Sequence, residues 1–243
     1  MTPHNTSAAY YDFVFQKRFG SAYETLTVTN LAKITELLAS GKILDFGAGT
    51  GRISIPLAKK GFDVTAVDIS RSMLDQLQNK ASLAGLEINC SESLTSCNGN
   101  SFDMVISIFT VFSYILKNED MDYTIKQIYD CLQPGGLLMF DLVNKEGYQY
   151  LCRTNNCITN QKQLPDFKEL VRVEMFQEEG AIYGNYQEHT KGLSNGNEFE
   201  YEENFKIRFW ELKDIQSLLE DTLKMQRIEH FNFANADYYV YKK

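Results

Sequence analysis

Short apolar segments alternate with segments of helical periodicity over roughly the first 145 residues. The apolar segments are bounded by turn residues, which is typical of buried strands. They lie at 42–46, 63–68, 86–90, 102–109 and 137–143. Between them apolar residues recur every three or four positions, which predicts amphipathic helices. Buried strands that alternate with such helices predict a parallel sheet covered by helices on both faces.

The predicted helices carry signals at their ends. One helix is expected within 22–39, ahead of the first strand. Ser70 is expected to cap the helix after the second strand, and the Pro-Gly-Gly run at 134–136 should end the helix after the fourth. A helix over 52–60 contains Pro56 beyond its first turn, so we expect it to be bent or short.

The pattern changes after about residue 145. Segments 168–178, 181–190 and 198–209 alternate between apolar and polar positions, with turn signals at Gly180 and at 194–197. This alternation predicts an antiparallel meander with one exposed face.

The last part of the chain returns to the first pattern. Apolar residues at helical spacing follow Trp210 and predict one more helix. Two strand-like segments, 223–233 and 236–243, are joined by a tight Ala-Asn turn. A closing hairpin on a parallel sheet makes the last strand antiparallel to its neighbours.

Composition and charge narrow the class of protein. The chain of 243 residues has 24 Lys and Arg against 32 Asp and Glu, a net charge of −8. This excess repels polyanions and argues against a nucleic-acid surface, so a small-molecule or cationic substrate is expected. No segment approaches the roughly 20 apolar residues of a membrane helix, and no secretory signal opens the chain. The five cysteines lack zinc-site spacing, so we expect a cytoplasmic protein with reduced thiols and no metal.

A glycine-rich turn and an acidic residue carry the candidate chemistry. Gly47, Gly49 and Gly51 follow the first predicted strand and precede a helix, where a ligand can approach the backbone and meet helix N–H groups. Asp68 ends the second strand, where nucleotide-binding sheets place a carboxylate against ribose hydroxyls. The alternative for Asp68 is a helix-capping or surface carboxylate.

The glycine spacing separates classes of nucleotide site. Dinucleotide sites favour G-x-G-x-x-G, whereas this loop reads G-x-G-x-G and is preceded by Asp45. An NAD-dependent oxidoreductase is therefore the less favoured alternative. No Walker lysine follows the loop, which excludes a P-loop.

Four motifs in order resemble class I S-adenosylmethionine-dependent methyltransferases. LDFGAGTGR at 44–52 and VDIS at 67–70 are similar to the motifs of the first two strands. SFDMVIS at 101–107 and LQPGGLLMFD at 132–141 are similar to those of the fourth and fifth. AAYYDF, near the start, resembles the entry of the family members that act on small molecules. The resemblance covers about 40–243.

The resemblance implies an α/β, Rossmann-like fold. It implies a seven-stranded, mostly parallel sheet in the order 3-2-1-4-5-7-6, with the last strand antiparallel and helices on both faces. Residues 41–144 and 210–243 would form the S-adenosylmethionine-binding core. Residues 1–40 would form a helical cap over the active site, and residues 145–209 an antiparallel substrate lid inserted after strand five.

The resemblance also implies a cofactor site for S-adenosylmethionine, with S-adenosylhomocysteine as product. The glycine loop would line the methionine part, Asp45 would hold its amino group and Asp68 the ribose hydroxyls. Ile69 and Met73 would flank the adenine, and Glu92 stands where the family usually has an aspartate near the adenine amino group. The implied cofactor-binding residues are Asp45, Gly47, Ala48, Gly49, Gly51, Asp68, Ile69, Met73, Glu92, Ser93, Leu94, Ile108 and Phe109.

The methyl acceptor should enter above the carboxyl ends of the strands. Candidate walls, besides the meander, are Tyr10, Tyr11, Phe15, Phe112, Tyr114 and Asn144. The alternative for Phe112 and Tyr114 is a place in the core. Methyl transfer from a sulfonium depends on positioning, so no catalytic residue is assigned. The three histidines, His4, His189 and His230, are expected to be structural or exposed.

The expected function is methyl transfer to nitrogen or oxygen of a small metabolite by in-line displacement, by a monomer or homodimer. A protein or RNA methyltransferase is an alternative, and the acidic charge counts against it. The D/N-P-P-[YFW] signature of RNA amino-methyltransferases is replaced by Ile-Phe-Thr-Val at 108–111. A non-catalytic cofactor-binding module is a further alternative. The sequence does not identify the acceptor.

Overall fold

Two sheets organise the protein in the computed structural model, which describes residues 2–97, 99, 101–144 and 157–243. The first sheet has seven strands. They are β1 (Lys42–Phe46), β2 (Asp63–Val67), β3 (Asn89–Ser91), β4 (Phe102–Ser107), β5 (Leu132–Val143), β10 (Gln226–Phe233) and β11 (Ala236–Lys242). The second sheet has four strands. They are β6 (Cys157–Leu164), β7 (Phe167–Glu178), β8 (Ala181–Ser194) and β9 (Asn197–Phe209).

The strand order of the first sheet is β3-β2-β1-β4-β5-β11-β10. Strands β1 to β5 pair in parallel, and β11 is antiparallel to both β5 and β10. The closing turn places Ala234 and Asn235 at φ of 52° and 63°, which suits a tight hairpin. The predicted order and the antiparallel last strand are both confirmed.

Helices cover both faces of this sheet. The helices are α1 (Tyr11–Phe19), α2 (Ser21–Leu37), α3 (Ser54–Lys59), α4 (Arg71–Leu83), α5 (Asn118–Cys131) and α6 (Leu212–Ser217), the last continuing into a π-helical turn. Successive residues of a strand point to opposite faces. Ile43 accordingly packs with Ile34 of α2 and Leu57 of α3, whereas Leu44 packs with Ile125 of α5 and Ile215 of α6.

The structure corrects two element boundaries. Pro56 is the third residue of α3, within the first turn, where an N–H group has no partner inside the helix. The expectation that Pro56 lies beyond the first turn was wrong, although α3 is short as expected. The third strand begins at Asn89 instead of Leu86 because the Leu86 N–H donates to Ala81 O at 2.9 Å. This bond closes the C-terminal cap of α4 around Gly85, which has a φ of 68°.

The antiparallel meander has one more strand than predicted. Strand β6 is missing from the prediction because its central TNQKQ run is polar throughout and hides the alternation. Strand β7 alternates buried and exposed residues along most of its length, as a one-sided sheet should. Its Phe167 packs with Val14 and Phe15 of α1, so this sheet supports the helical N-terminus. The first part of the expected lid, residues 145–156 with Cys152, lies outside the described residues.

Among the described residues, no helix combines the length and apolarity needed to cross a bilayer. Cys131 is fully buried in the core, and Cys90 is partly buried beside α4.

Candidate functional site

A cavity of about 170 Å³ lies at the carboxyl ends of β1, β2 and β4. The strand ends and the segments after them contribute Phe46, Gly47, Gly49, Asp68, Ile69, Met73, Ile108, Phe109 and Val111. The opposite wall consists of Pro3, His4, Tyr11, Tyr114 and Ile115. The N-terminal segment therefore faces the glycine loop across this cavity.

The glycines of the loop have different local surroundings. Gly47 has a φ of 82°, and a Cβ there would overlap the side chain of Val111. A Cβ at Gly51 would come within 2.7 Å of Leu77 Cγ, so Gly51 lets the loop pack on α4. Gly49 differs, because a Cβ there would meet nothing within 4 Å. The backbone at Gly49 is therefore open to the cavity.

Asp68 ties the end of β2 to the glycine loop. Its Oδ2 accepts the Gly49 N–H at 2.8 Å, and its Oδ1 accepts the Ser70 N–H at 2.8 Å. Burial raises the pKa of Asp68, and these two backbone hydrogen bonds oppose the rise. A carboxylate has about four acceptor positions, so two remain for a ligand. Asp68 thus orders the loop, as a capping residue would, and also lines the cavity.

Asp45 is more deeply buried than Asp68. It accepts the Ser54 hydroxyl at 2.6 Å, and burial raises its pKa to about 6. Asp45 is not a lining residue of the cavity, and neither is Ala48, which packs with Leu77 and Ala81. Their roles at the cofactor stay predictions.

The side chains expected around the adenine divide into two groups. Ile69 and Met73 line the cavity, and Ile69 is 61% exposed. Glu92 is instead exposed, 3.7 Å from Arg71, and Ser93 is exposed beside it. Leu94 belongs to the hydrophobic core. These last three residues lie outside the lining, and their assignment stays a prediction.

The turn after β4 is strained. Phe109 and Thr110 have consecutive φ values of 74° and 59°, in a region that bulky side chains rarely adopt. The Thr110 N–H donates to Oδ1 of Asp141 at 2.8 Å, and the Arg52 guanidinium lies 4.3 Å from the Phe109 ring centroid. Asp141 is buried on β5, and burial raises its pKa to about 7 against the hydrogen bond from Thr110. Sequence reasoning missed Asp141, although an acid near the end of an apolar strand is a visible signal.

Three of the candidate acceptor walls lie elsewhere. Phe112 is in the core, 5.2 Å from the Phe140 ring, so the alternative reading of Phe112 is the correct one. The Tyr10 ring stacks on Phe199 of β9 at 4.3 Å. Asn144 donates through Nδ2 to Asp237 at 3.2 Å and belongs to the closing hairpin.

The other three candidate walls come together. Tyr11 and Tyr114 line the cavity, and Phe15 stacks behind Tyr11 at 4.1 Å. Burial raises the pKa of both Tyr11 and Tyr114 well above the ordinary value. Both hydroxyls are therefore protonated at neutral pH.

His4 is a cavity residue that sequence reasoning placed among structural or exposed histidines. Its side chain is 12% exposed, Nε2 lies 2.8 Å from the Tyr114 hydroxyl, and Nδ1 lies 3.2 Å from Glu203 Oε2. No local signal marks it, because Glu203 belongs to β9 near the other end of the chain. His189 and His230 are surface residues beside Glu200 and Asp237, as expected.

Comparisons with known proteins agree with this geometry. Residues 43–136 match the family described as methyltransferase domain. The chain is 36% identical to YqeM of Bacillus subtilis, a protein named as a methyltransferase. The match extends over 104 residues, which are 42% of each protein. It is 32% identical over 120 residues to the ubiquinone biosynthesis O-methyltransferase of Coxiella burnetii, covering 48% of this chain and 50% of that one. The chain thus spans about half the length of the curated relatives it matches.

Solved structures match almost the whole chain. An S-adenosylmethionine-dependent methyltransferase from Clostridium acetobutylicum superposes with a TM-score of 0.75 at 19% identity, covering 98% of each chain. Streptomyces venezuelae DesVI gives 0.74 at 15% identity, covering 97% of each. CalS10, an amino pentose methyltransferase from Micromonospora echinaspora, gives 0.70 at 13% identity, covering 96% of this chain and 95% of that one. At these identities the likeness establishes a common fold.

Proposed function

We propose that this chain, a member of the class I S-adenosylmethionine-dependent methyltransferases, transfers a methyl group from S-adenosylmethionine to nitrogen or oxygen of a small metabolite. The family match covers the part of the chain that holds the glycine loop, Asp68 and the end of β4. The activity of the whole protein is inferred from this site.

One observation carries the proposal: Gly49 and Asp68 are joined at the same cavity wall. The Gly49 backbone leaves room for a ligand, and Asp68 keeps acceptor capacity beyond its two backbone hydrogen bonds. This arrangement fits a nucleoside whose ribose hydroxyls donate to a carboxylate. When bound, S-adenosylmethionine supplies an electrophilic methyl carbon on a sulfonium that leaves as a neutral thioether.

The residues that would hold this cofactor follow from their places along the cavity. Asp68 would accept the ribose hydroxyls, and Ile69 and Met73 would flank the adenine. Gly47 and Gly49 would approach the methionine part, with Ile108 and Phe109 beside it. Asp45 does not line the cavity, and its assignment to the amino group rests on the family resemblance alone.

The acceptor side supports a small substrate. The N-terminal segment and aromatic residues such as Tyr11 and Tyr114 enclose the cavity opposite the glycine loop. CalS10 is described as an amino pentose methyltransferase and KedS8 as a sugar N-methyltransferase, so this fold serves small acceptors in those proteins. A net charge of −8 disfavours RNA as the acceptor. Holding the acceptor near the methyl carbon can lower the barrier by about 7–11 kcal/mol.

Isothermal titration calorimetry with S-adenosylhomocysteine tests the cofactor. Wild-type protein should bind it in the micromolar range, and Asp68→Ala should bind about tenfold more weakly or worse because charge-assisted hydrogen bonds are lost. Asp63→Ala is the matched control at the opposite, exposed end of β2 and should bind normally. Absence of binding by the wild type, or binding of NAD in its place, would contradict the proposal.

A methyl-transfer screen tests the reaction. Purified protein with methyl-labelled S-adenosylmethionine should label a small amine or hydroxyl compound. Cofactor binding with no labelling of small compounds, protein or RNA would favour a non-catalytic cofactor-binding module. Labelling of protein or RNA alone would favour the macromolecular alternative.

A further inference from the structure

His4 lies between Glu203, on strand β9 of the second sheet, and Tyr114, in the turn after strand β4 of the first sheet. Its Nδ1 is 3.2 Å from Oε2 of Glu203, a side chain only 4% exposed. Its Nε2 is 2.8 Å from the hydroxyl of Tyr114. His4 and Tyr114 both line the cavity that holds the glycine loop and Asp68.

The neighbours of His4 determine which nitrogen carries the proton. The Nδ1–Oε2 pair is an ion-pair contact without hydrogen-bond geometry. An ionised carboxylate only accepts hydrogen bonds, so Glu203 favours the ring form that carries its proton on Nδ1. In the neutral ring, Nε2 then has a free lone pair, and it accepts from the Tyr114 hydroxyl. The basic nitrogen of His4 is therefore the one on the Tyr114 side.

Glu203 is fixed in place independently of His4. Its Oε1 accepts the backbone N–H groups of Thr6 and Ser7 at 3.1 and 2.9 Å. Burial tends to raise the pKa of Glu203, but contacts with His4 and Ser7 outweigh it and hold this pKa below its usual range. Glu203 is thus ionised at neutral pH, and it fixes both the ring and the segment that carries it.

The groups that face His4 come from several elements. Glu203 comes from β9 and Tyr114 from the turn after β4, and the Tyr11 ring of α1 lies 5.2 Å from the His4 ring. Asp68 follows β2 and is close enough to His4 that His4 lowers the pKa of Asp68. Phe205 packs edge-on at 5.1 Å and shields the pair from water.

We propose that His4, oriented by Glu203, is the general base of the reaction and receives the proton of the methyl acceptor through Tyr114. This inference rests on the proposed function. It assigns His4 as a catalytic residue and Glu203 as a positioning residue.

The acceptor lone pair forms a bond to the methyl carbon, and the carbon–sulfur bond breaks with its electron pair remaining on sulfur. The proton of the acceptor nitrogen or oxygen passes to the Tyr114 oxygen, while the Tyr114 hydroxyl proton passes to Nε2 of His4. Tyr114 ends unchanged, and His4 ends as an imidazolium beside Glu203. Burial raises the pKa of Tyr114 and so disfavours a phenolate at this position. Tyr114 therefore cannot be the base alone, and the proton must reach His4.

A general base at this site favours acceptors that lose a proton during methyl transfer. A base is needed only where a proton must leave the attacking atom, as from a hydroxyl, or from an ammonium group that must lose a proton before its lone pair can attack. A carboxylate acceptor needs no base. We therefore expect transfer to an amine or hydroxyl group and none to a carboxylate.

Glu203→Gln separates the orienting role from the structural one. The glutamine carbonyl can still accept from Thr6 and Ser7, but its amide donates to Nδ1 and should move the ring proton to Nε2. Nitrogen-15 NMR of the His4 ring should show the Nδ1–H form in the wild type and the Nε2–H form in this variant. Glu200→Gln is the matched control, because Glu200 lies 2.6 Å from His189 on the surface of the same sheet.

Chemical rescue tests the catalytic role. His4 has a φ of 59°, which glycine adopts without strain, so His4→Gly keeps the backbone and empties the ring space. With benzylamine and 4-methylphenol as probes, His4→Gly should lower kcat by about 10²–10⁴-fold. Added imidazole should restore part of the rate, which a purely structural role would not predict. His189→Ala is the control and should keep the wild-type rate.

The outcomes of the two proposals can be told apart. Failure of the wild type to bind S-adenosylhomocysteine would contradict the proposed function, whereas His4→Gly and Glu203→Gln should still bind it at saturating concentration while methyl transfer is slowed. An Nε2–H ring in the wild type would overturn the assignment of the base. Wild-type transfer by His4→Gly, or transfer to the probe benzoate at a rate equal to benzylamine, would also overturn it.

Discussion

Arg18 of α1 and Glu169 of β7 form a buried ion pair that joins the helical N-terminus to the second sheet. The Arg18 Nε and Nη2 atoms lie 3.0 and 2.8 Å from the same Glu169 oxygen, and Nη2 also lies 2.7 Å from Glu188 on β8. The three side chains are 8%, 1% and 2% exposed. Because α1 also carries Tyr11, this pair holds one cavity wall against the sheet that supplies Glu203.

Arg18→Met should destabilise the protein strongly. It removes the positive charge between Glu169 and Glu188, and breaking a buried pair costs about 3–5 kcal/mol because the remaining charges are uncompensated. Urea unfolding followed by circular dichroism measures the free energy of unfolding. Lys17→Met is the matched control, since Lys17 pairs with Asp166 at a partly exposed position and should cost about 0–1 kcal/mol. Equal losses in the two variants would contradict a buried role for Arg18.

Gly47→Ala should cost stability through a steric overlap with Val111. Gly61 has a similar φ of 91°, but a Cβ added there meets nothing within 4 Å. Gly61→Ala therefore measures the backbone strain alone, about 1–2 kcal/mol. Gly47→Ala should lose clearly more than Gly61→Ala in thermal or urea unfolding. Adding Val111→Ala to Gly47→Ala should recover the difference. A double variant no more stable than the single one would show that the overlap is not the cause.

Features fixed by local sequence were predictable here. Gly49 and Asp68 lie next to strands whose apolar patterns are clear, and the Gly49–Asp68 contact follows once β1 and β2 pair. The closing hairpin was also predictable, because its turn and both strands are adjacent in the chain. The strand order beyond this required the family resemblance.

Features that depend on distant contacts were not predictable. His4 precedes every regular element, and it acquires its surroundings only when β9 reaches the N-terminal segment, as in the Ser7–Glu203 contact across 196 positions. Asp141 acquires its role from the strained turn at Thr110, which follows the neighbouring strand β4. Strand β6 has no alternating pattern and is held by pairing with β7.

Asp141 should make stability fall as pH rises. Its folded pKa of about 7 lies above the unfolded value of about 3.9, so the folded protein binds more protons between these pH values. The free energy of unfolding should therefore decrease from pH 4 to pH 7, by up to about 1.4 kcal/mol per pH unit from this group. Asp45, with a pKa of about 6, adds a slope of the same sign up to that pH.

Asp141→Asn should flatten this dependence without loss of the turn. The asparagine oxygen can still accept the Thr110 N–H, while the titrating group is gone. Urea unfolding at half-unit pH steps measures the slope. Asp103→Asn is the control, since Asp103 also accepts a backbone N–H, from Lys42 at 2.7 Å, but at a more exposed position. An unchanged slope in Asp141→Asn would show that this carboxyl is already ionised in the folded protein.

Gly49→Ala should weaken cofactor binding without extra cost to the fold. The added methyl meets no protein atom within 4 Å, so only the strain of a φ of 54° remains, about 1–2 kcal/mol. Its loss of stability should therefore equal that of Gly61→Ala. The methyl would, however, occupy space that the cofactor needs, and calorimetry with S-adenosylhomocysteine should show binding weakened by about tenfold or more, a loss of about 1.4 kcal/mol. Gly61→Ala should bind normally. If both variants bound equally well, the ligand would not approach the backbone at Gly49, and the placement of the methionine part along this loop would be wrong.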